Sequence, residues 1–329
     1  MPYMKTLSGA KILVTGGAGF VGSNLVKALV HIHKAQVTVL DNLFTGNLTN
    51  LKDLDCNFIH GSVEDENLVE DCVKDVDIVF HLASRNIIVS NKNPREDLNA
   101  NVRGSFNVFE SCSKFGVSRV VYTSTSSIYG AAETIPVKEN DKNSFLNFYS
   151  ASKFCAEVYA HTFHEVFDLP ITILRYSNVY GPNQAPVNPY CGVIGNFIHS
   201  ALLGQPIRIH GDGGQTRDFT YVDDAVNATI AAALCPSALG EDYNIGTGCE
   251  TSVNGLAEQI VGLLNSPSEI VYVPNRDIDN IRRRAIDISK AKEHLGYSPE
   301  FSIAEGLQNT ISWFVKANKP VNVSTSQPS

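Results

Sequence analysis

Seven residues near the N-terminus constrain the fold more than any others. Gly16-Gly17-Ala18-Gly19-Phe20-Val21-Gly22 spaces its glycines G-x-x-G-x-x-G, between an apolar run, Lys11–Thr15 (KILVT), and a helical pattern over Phe20–His33. Glycine lets the chain turn tightly there and brings backbone N–H groups close to a ligand. The start of the following helix adds partial positive charge, so the loop reads as a diphosphate site. Taken alone, the spacing also fits a merely tight strand–helix turn. Its context says more: a second strand, Gln36–Asp41 (QVTVLD), ends in a carboxylate 19 residues beyond Gly22. An acid at that place hydrogen-bonds the adenosine ribose of a dinucleotide and repels a 2′-phosphate. The expected cofactor is therefore NAD rather than NADP, with Asp41 on the ribose and Asn42 beside it.

The alternation continues. Asn57–His60, Asp77–His81 (DIVFH), Arg119–Ser124 (RVVYTS) and Ile171–Tyr176 (ITILRY) read as strands, with helices near 64–74, 95–116 and 148–167. Apolar β-branched strands between helical patterns predict an α/β fold, a doubly wound parallel Rossmann sheet covered on both faces. After Tyr180 the pattern changes. Residues 181–188 are rich in Pro, Gly and Asn, and shorter elements follow: helices near 192–204, 223–233, 253–265, 288–295 and 303–317, and strands at 207–209, 243–245 and 269–273. This predicts a smaller α/β lobe interleaved with the sheet. The expected division is 1–178 plus 217–248 for the NAD-binding domain, 179–216 plus 249–317 for a substrate lobe, and a polar tail over 318–329. A length of 329 residues suits two such units.

Charge narrows the partners. Lys plus Arg is 26 against 34 for Asp plus Glu, a net charge of −8. That disfavours wrapping a nucleic acid, while a small anion can still bind locally. The seven cysteines, at 56, 72, 112, 155, 191, 235 and 249, are odd in number and lack metal-clip spacing. They predict buried, reduced thiols and no metal site. With no apolar run long enough for a signal peptide or a membrane span, the expected location is cytoplasmic.

Tyr149-Ser150-Ala151-Ser152-Lys153 is a Y-x-x-x-K that opens a helical pattern, so the two side chains share one face. Tyrosine is a poor base at its ordinary pKa of about 10. A nearby ammonium would lower it and yield a phenolate able to take a proton from a sugar hydroxyl. The same spacing also occurs as an ordinary surface pair. It gains force from the hydroxyl-rich loop Thr123–Gly130, at the end of the fifth strand, where open sheets place active sites.

With these motifs in view, the sequence resembles an extended short-chain dehydrogenase/reductase of the NAD-dependent nucleotide-sugar epimerase/dehydratase kind. The resemblance runs from about Lys11 to Phe314. It rests on GGAGFVG, the Asp41-Asn42 pair, HLAS at 81–84, NVRGSFNVFE at 101–110, STSSIYG at 124–130, YSASK at 149–153, LRYSNVYGP at 174–182, GDGGQTRDFTYVDDA at 211–225 and DISKAKEHLGYSP at 287–299. It implies that Tyr149 is the catalytic base, with Lys153 as its partner on the nicotinamide ribose and Thr125 as the catalytic hydroxyl. The cofactor would meet Gly16, Gly19, Phe20, Val21, Gly22, Asp41, Asn42, Val63, Leu82, Ala83, Ser84 and Tyr176, with Asn101 supporting the active-site helix. Ser62 or backbone would hold the adenine, since the acid frequent after the third strand is missing here. Asn178, Ser126 and Arg217 would serve the nucleotide sugar. A second diphosphate arginine is expected before DISKA, where Arg276, Arg282 and Arg283 compete; Arg282 and Arg283 are the expected pair, against a solvated basic turn. Arg85 would meet an acidic sugar, a cofactor phosphate or a surface acid.

Positions 126 and 127 are Ser, where dehydratases of this kind carry Asp-Glu, decarboxylases often carry Glu and 3,5-epimerising relatives carry Cys. The expectation is thus a 4-epimerase acting on a sugar linked to a nucleotide, by resemblance UDP. A decarboxylase, 4-ketoreductase, 2-epimerase or 4,6-dehydratase of the same fold stands as the alternative, and a non-catalytic NAD sensor as a remote one. The residue limiting sugar size falls on Arg284, which would favour a uronic acid or point outward. A homodimer is expected through the helices near 95–116 and 149–167, with Phe154, Val158, Phe163 and Val166 giving the second helix apolar residues on more than one face.

Overall fold

A computed structural model describes residues 6–184, 192–275 and 281–317. Its centre is a seven-stranded sheet. The strands are β1 (Lys11–Thr15), β2 (Gln36–Asp41), β3 (Cys56–His60), β4 (Ile78–His81), β5 (Arg119–Thr125), β6 (Ile171–Tyr176) and, after four short strands in the second half, β11 (Asp242–Ile245). Their order is β3-β2-β1-β4-β5-β6-β11, and every pairing is parallel. The parallel neighbours β1 and β4 flank the point where the strand order reverses, the place where such sheets open a crevice at their carboxyl ends.

Period-2 alternation sends side chains to two cores. Ile12 and Val14 of β1 pack with Leu25, Val26 and Leu29 of α1 (Phe20–His31), whereas Leu13 faces Val69 of α2 (Glu66–Val73). On the second face lie α5 (Gly104–Phe115) and α6 (Phe148–Phe167), through Phe109, Ala156, Ala160 and Phe163. The first core continues without a break into the later elements α7 (Val193–Leu202), α8 (Val222–Leu234), α9 (Val253–Leu264) and α11 (Ile303–Ala317). The smaller lobe therefore shares its interior with the sheet.

Some expected elements differ. The helix read over 95–116 is three pieces: α4 (Pro94–Asp97), a π-helical turn over Leu98–Arg103, and α5. A short α3 (Ile87–Lys92), capped by the Asn86 side chain, precedes them. The lobe adds β7 (Asn178–Tyr180), β8 (Ile207–His210), β9 (Thr216–Arg217), β10 (Phe219–Tyr221), β12 (Thr251–Ser252) and β13 (Ile270–Val273), with β13 parallel to β8. Helix α11 runs to Ala317, and the expected tail, 318–329, lies outside the described residues. The thiols are not uniformly buried: Cys72 and Cys112 are, but Cys249 is exposed, and Cys191 falls outside the described residues. All six described cysteines are free, and the described residues hold no group of three or more potential metal ligands. No described helix is long and apolar enough to cross a membrane.

Candidate active site

A cavity of about 470 Å³ opens at the carboxyl ends of the central strands. At one end it is walled by the glycine loop. Gly16 sits at φ +73°, and a Cβ there would lie 2.8 Å from the Ala83 nitrogen, so no side chain fits between the loops after β1 and β4. A Cβ on Gly22 would lie 2.2 Å from the Gly16 oxygen, which keeps the first turn of α1 pressed against the loop. The helix cap, Gly19, carries no side chain, so the first-turn N–H groups of α1, which have no partner within the helix, remain for a ligand. Asp41 closes β2 and is buried; its carboxylate accepts from the N–H groups of Ala18 (3.0 Å) and Leu43 (2.7 Å). Burial raises the Asp41 carboxyl above the usual range, and these N–H groups hold it down. Phe20, Val21, Asn42, Ser62, Val63, Leu82, Ala83, Ser84 and Tyr176 line the same cavity. Further in, the buried Ser124 Oγ has no hydrogen-bond partner. Glycine cradle, helix start, terminal carboxylate and orphaned hydroxyl together fit a dinucleotide.

The other end carries Thr125, Ser126, Tyr149, Lys153, Asn178 and Arg284. Asn147 caps α6, accepting from the Ser150 N–H at 2.8 Å. This fixes the first turn, with Tyr149 in it and Lys153 one turn on. Thr125 ends β5 and caps the short 3₁₀ turn Ser126–Tyr129, accepting from the Ser127 N–H at 3.1 Å. Burial pushes the Tyr149 hydroxyl up to about 12, with the neighbouring Thr125 hydroxyl pulling it back and the Asp97 charge adding to the rise. Burial draws Lys153 down to about 7, opposed by Glu157 and Asp97. In the protein as it stands, burial outweighs the lowering of Tyr149 expected from a neighbouring ammonium.

Beneath this pair lies a buried polar network that the sequence reading reached only at Asn101. Asn101 does not line the cavity. Its amide donates to Asp97 Oδ1 (2.7 Å) and Ser152 Oγ (3.1 Å), and its oxygen accepts from the Arg85 N–H (2.6 Å). Asp97 Oδ1 also accepts from Ser90 and Ser152. One carboxylate thereby joins α3, the π-helical turn and α6. The signal was present as Asp97 and Asn101 four apart on one helical face. A second layer stacks His81 on the Tyr122 ring at 5.5 Å, with the Lys153 ammonium 4.3 Å from the ring centroid. His81 Nδ1 meets Thr15 Oγ1 (2.7 Å) and Nε2 meets Ser105 Oγ (2.9 Å).

The arginines divide. Arg85 lines the cavity, stacked on Phe44 and 3.7 Å from Glu64. Arg217, Arg282 and Arg283 do not line it. Arg217 is buried and donates to the carbonyls of Thr216 and Ile281, both at 2.8 Å. Arg282 pairs with Asp212 (2.6 Å) and Arg283 with Glu250 (2.5 Å), all on the outside. Exposed acids on the glycine turn after β8 and before β12 capture them, which a linear reading could not foresee. Of the RRR run only Arg284 reaches the cavity, where it is buried. Arg276 lies outside the described residues.

The family model described as "NAD dependent epimerase/dehydratase family" matches residues 12–246. The chain belongs to that family. A UDP-N-acetyl-alpha-D-glucosaminuronate decarboxylase from Bacillus cytotoxicus is 38% identical, aligned over 92% of this chain and 97% of its own. A crystal structure of a UDP-glucose 4-epimerase from Thermotoga maritima with UDP-glucose superposes with a TM-score of 0.90 at 37% identity, covering 94% of this chain and all (100%) of that one. A UDP-glucuronic acid 4-epimerase from Bacillus cereus, with UDP-glucuronic acid and NAD, gives a TM-score of 0.86 at 30% identity, covering 93% and 99%. This epimerase/dehydratase-family enzyme is accordingly NAD-dependent, and the glycine loop, Asp41 and the cavity wall between them are the residues that would hold the cofactor.

Proposed function

We propose that the enzyme is a nucleotide-sugar 4-epimerase acting on a UDP-linked hexose or uronate. One observation carries the reading. Among the described residues lining the cavity, Asp41 is the only carboxylate, and there is neither a histidine nor a cysteine. Asp41 closes β2, two strands away from the β4–β5 edge where Thr125 and Tyr149 meet. Elimination of water requires an added acid–base pair near the sugar, and inversion beside the keto group requires an added base. The wall around Tyr149 offers hydroxyls instead: Ser124, Thr125, Ser126 and Ser127. Such a site supports oxidation at C4, turning of the keto sugar and reduction from the other face. The similarity to two 4-epimerases supports the same reading, and the decarboxylase relative defines what it must be tested against.

In this reading Tyr149 Oη takes the proton of the C4 hydroxyl and returns it to the C4 oxygen of the epimer. Thr125 holds that oxygen. Lys153, whose charged form Glu157 and Asp97 support against its burial, favours the phenolate when protonated and steadies the ribose. Bound NAD supplies the hydride acceptor and donor and, when oxidised, a positive ring that further lowers Tyr149. Asn178 and Arg284 line the end of the cavity left for the sugar nucleotide, and the buried guanidinium of Arg284 suits a diphosphate or a uronate carboxylate.

Replacing Tyr149 by Phe tests the assignment. Epimerisation should fall by at least ~10²-fold, the scale of a general base, with NAD still bound; a rate near that of the parent contradicts it. A panel of UDP-, GDP-, CDP- and TDP-sugars followed by NMR identifies the substrate and product.

We also infer that two copies pair through α5 and α6. Val158, Val166 and Phe167 are exposed on α6, at 50%, 63% and 60%. Phe163 is buried in the second core and Phe154 packs against the first, so these two do not contribute to that face. Light scattering checks the pairing.

A further inference from the structure

The loops after β2 and β4 meet across the strand that lies between them. Phe44 follows β2, Arg85 follows β4, and both line the cavity; the Arg85 guanidinium carbon stands 3.9 Å from the centroid of the Phe44 ring. Because β1 lies between β2 and β4, this stack spans the strand that leads into the glycine loop. Both partners are held from behind. Leu43 takes a left-handed φ of +58°, with its N–H on Asp41 Oδ1, and the Phe44 N–H donates to Asn42 Oδ1 at 3.1 Å. The same carboxylate that faces the expected ribose therefore shapes the turn that carries Phe44. On the other side, the Arg85 backbone is clamped by Asn101, both N–H (2.6 Å) and carbonyl (3.3 Å).

The guanidinium keeps donors in reserve. Arg85 Nε is buried without a hydrogen-bond partner, and Nη2 is 3.7 Å from Glu64, beyond hydrogen-bonding range. A planar fork with unspent N–H groups, steadied on an aromatic face in the cavity that the glycine loop also lines, matches a diphosphate, which offers paired anionic oxygens. Phe44 itself is 42% exposed, so the outer half of the stack can swing away without opening the core.

We propose that Phe44 and Arg85 form a clasp over the cofactor cleft, in which Arg85 grips the diphosphate of bound NAD and Phe44 locks the guanidinium in place. Opening of this clasp limits cofactor release. The inference rests on NAD dependence and is indifferent to which sugar reaction follows.

The test uses holoprotein loaded with radiolabelled NAD and chased with excess unlabelled NAD, comparing Phe44→Ala and Arg85→Gln with the parent. Release should quicken by at least about tenfold in each, a change of roughly 1.4 kcal/mol in the barrier. Arg85→Lys, which keeps charge but not the planar stack, should fall between parent and Arg85→Gln. Circular dichroism should show both variants folded, since one side chain is part-exposed and the other lines a cavity. Release at the parental rate from either variant overturns the clasp. So does a raised KM for the sugar nucleotide in Arg85→Gln with NAD release unchanged, which would put Arg85 on the sugar. Failure of the epimerase assignment, by contrast, would leave the release rates as predicted.

Discussion

The Asn101 side-chain oxygen accepts the Arg85 backbone N–H at 2.6 Å, tying the cavity wall to the π-helical turn. The Asn101 amide simultaneously reaches Asp97 and, on the active-site helix, Ser152. Asn101→Leu removes all of these partners from buried groups. The expected cost is about 2–3 kcal/mol in denaturant-measured stability, from donors and a carboxylate left short of partners. The catalytic rate should fall along with it, because the Tyr149 turn loses its tie to the opposite wall. A loss under about 0.5 kcal/mol, the range of ordinary surface changes, would show the network to be dispensable.

Asp41 should set cofactor choice. Asp41→Ser removes the carboxylate that faces the ribose and also accepts from Ala18 and Leu43. NAD affinity should weaken by at least about tenfold, the worth of one charge-assisted hydrogen bond, while NADP, no longer repelled, should gain relative to NAD. Calorimetric titration with both cofactors measures the ratio. An unchanged preference would mean that something else reads the 2′ position.

His81 predicts a specific acid sensitivity. Its burial, with the Lys153 charge nearby, lowers it from about 6.5 to about 3. Between those values the unfolded chain binds a proton that the folded chain refuses, so the contribution is complete above pH 6.5 and drains away as pH falls toward 3. One group shifted this far is worth on the order of 5 kcal/mol across the window. In His81→Gln the fall of stability between pH 6 and pH 4 should lose close to one proton of slope. An identical slope would assign the acid sensitivity to carboxylates instead.

Much of this architecture could be read along the chain. The six leading strands, α1 and α6 follow from apolar runs, 3.6-residue patterning and glycine spacing, all local signals. The interruption at Leu98–Arg103 could not, since a π-helical turn leaves the apolar spacing of a long helix almost intact and shows itself only in which polar groups end up buried. The placement of the arginines is illegible for another reason. Whether Arg282 and Arg283 face a ligand depends on Asp212 and Glu250, 70 and 33 residues away, and those long-range pairs arise only when the lobe closes. Phe44 is not legible in the sequence, because a single aromatic in a loop carries no pattern until its partner is known.

Glu157 and Arg175 form a buried pair below the active-site helix: Arg175 Nη2 is 2.8 Å from Glu157, and Nη1 reaches the Tyr129 hydroxyl at 3.0 Å. Glu157→Gln should destabilise the fold by about 2 kcal/mol, because Nε and Nη2 of the buried Arg175 lose their charged acceptor while Nη1 keeps Asp242 at 2.6 Å. It should also lower Lys153 further, since Glu157 is the larger of the two charges that raise it. A shift of the activity profile, together with the loss in stability, separates this from a purely structural defect.

The most direct test of 4-epimerisation is NMR of a UDP-hexose or UDP-uronate carrying deuterium at C4, incubated with the holoprotein without added cofactor. The account predicts a mixture of the two C4 epimers, the label retained at C4 in both, and no net change in NAD. Formation of a pentose with loss of carbon dioxide, or of a 4-keto-6-deoxy sugar with loss of water, would contradict it.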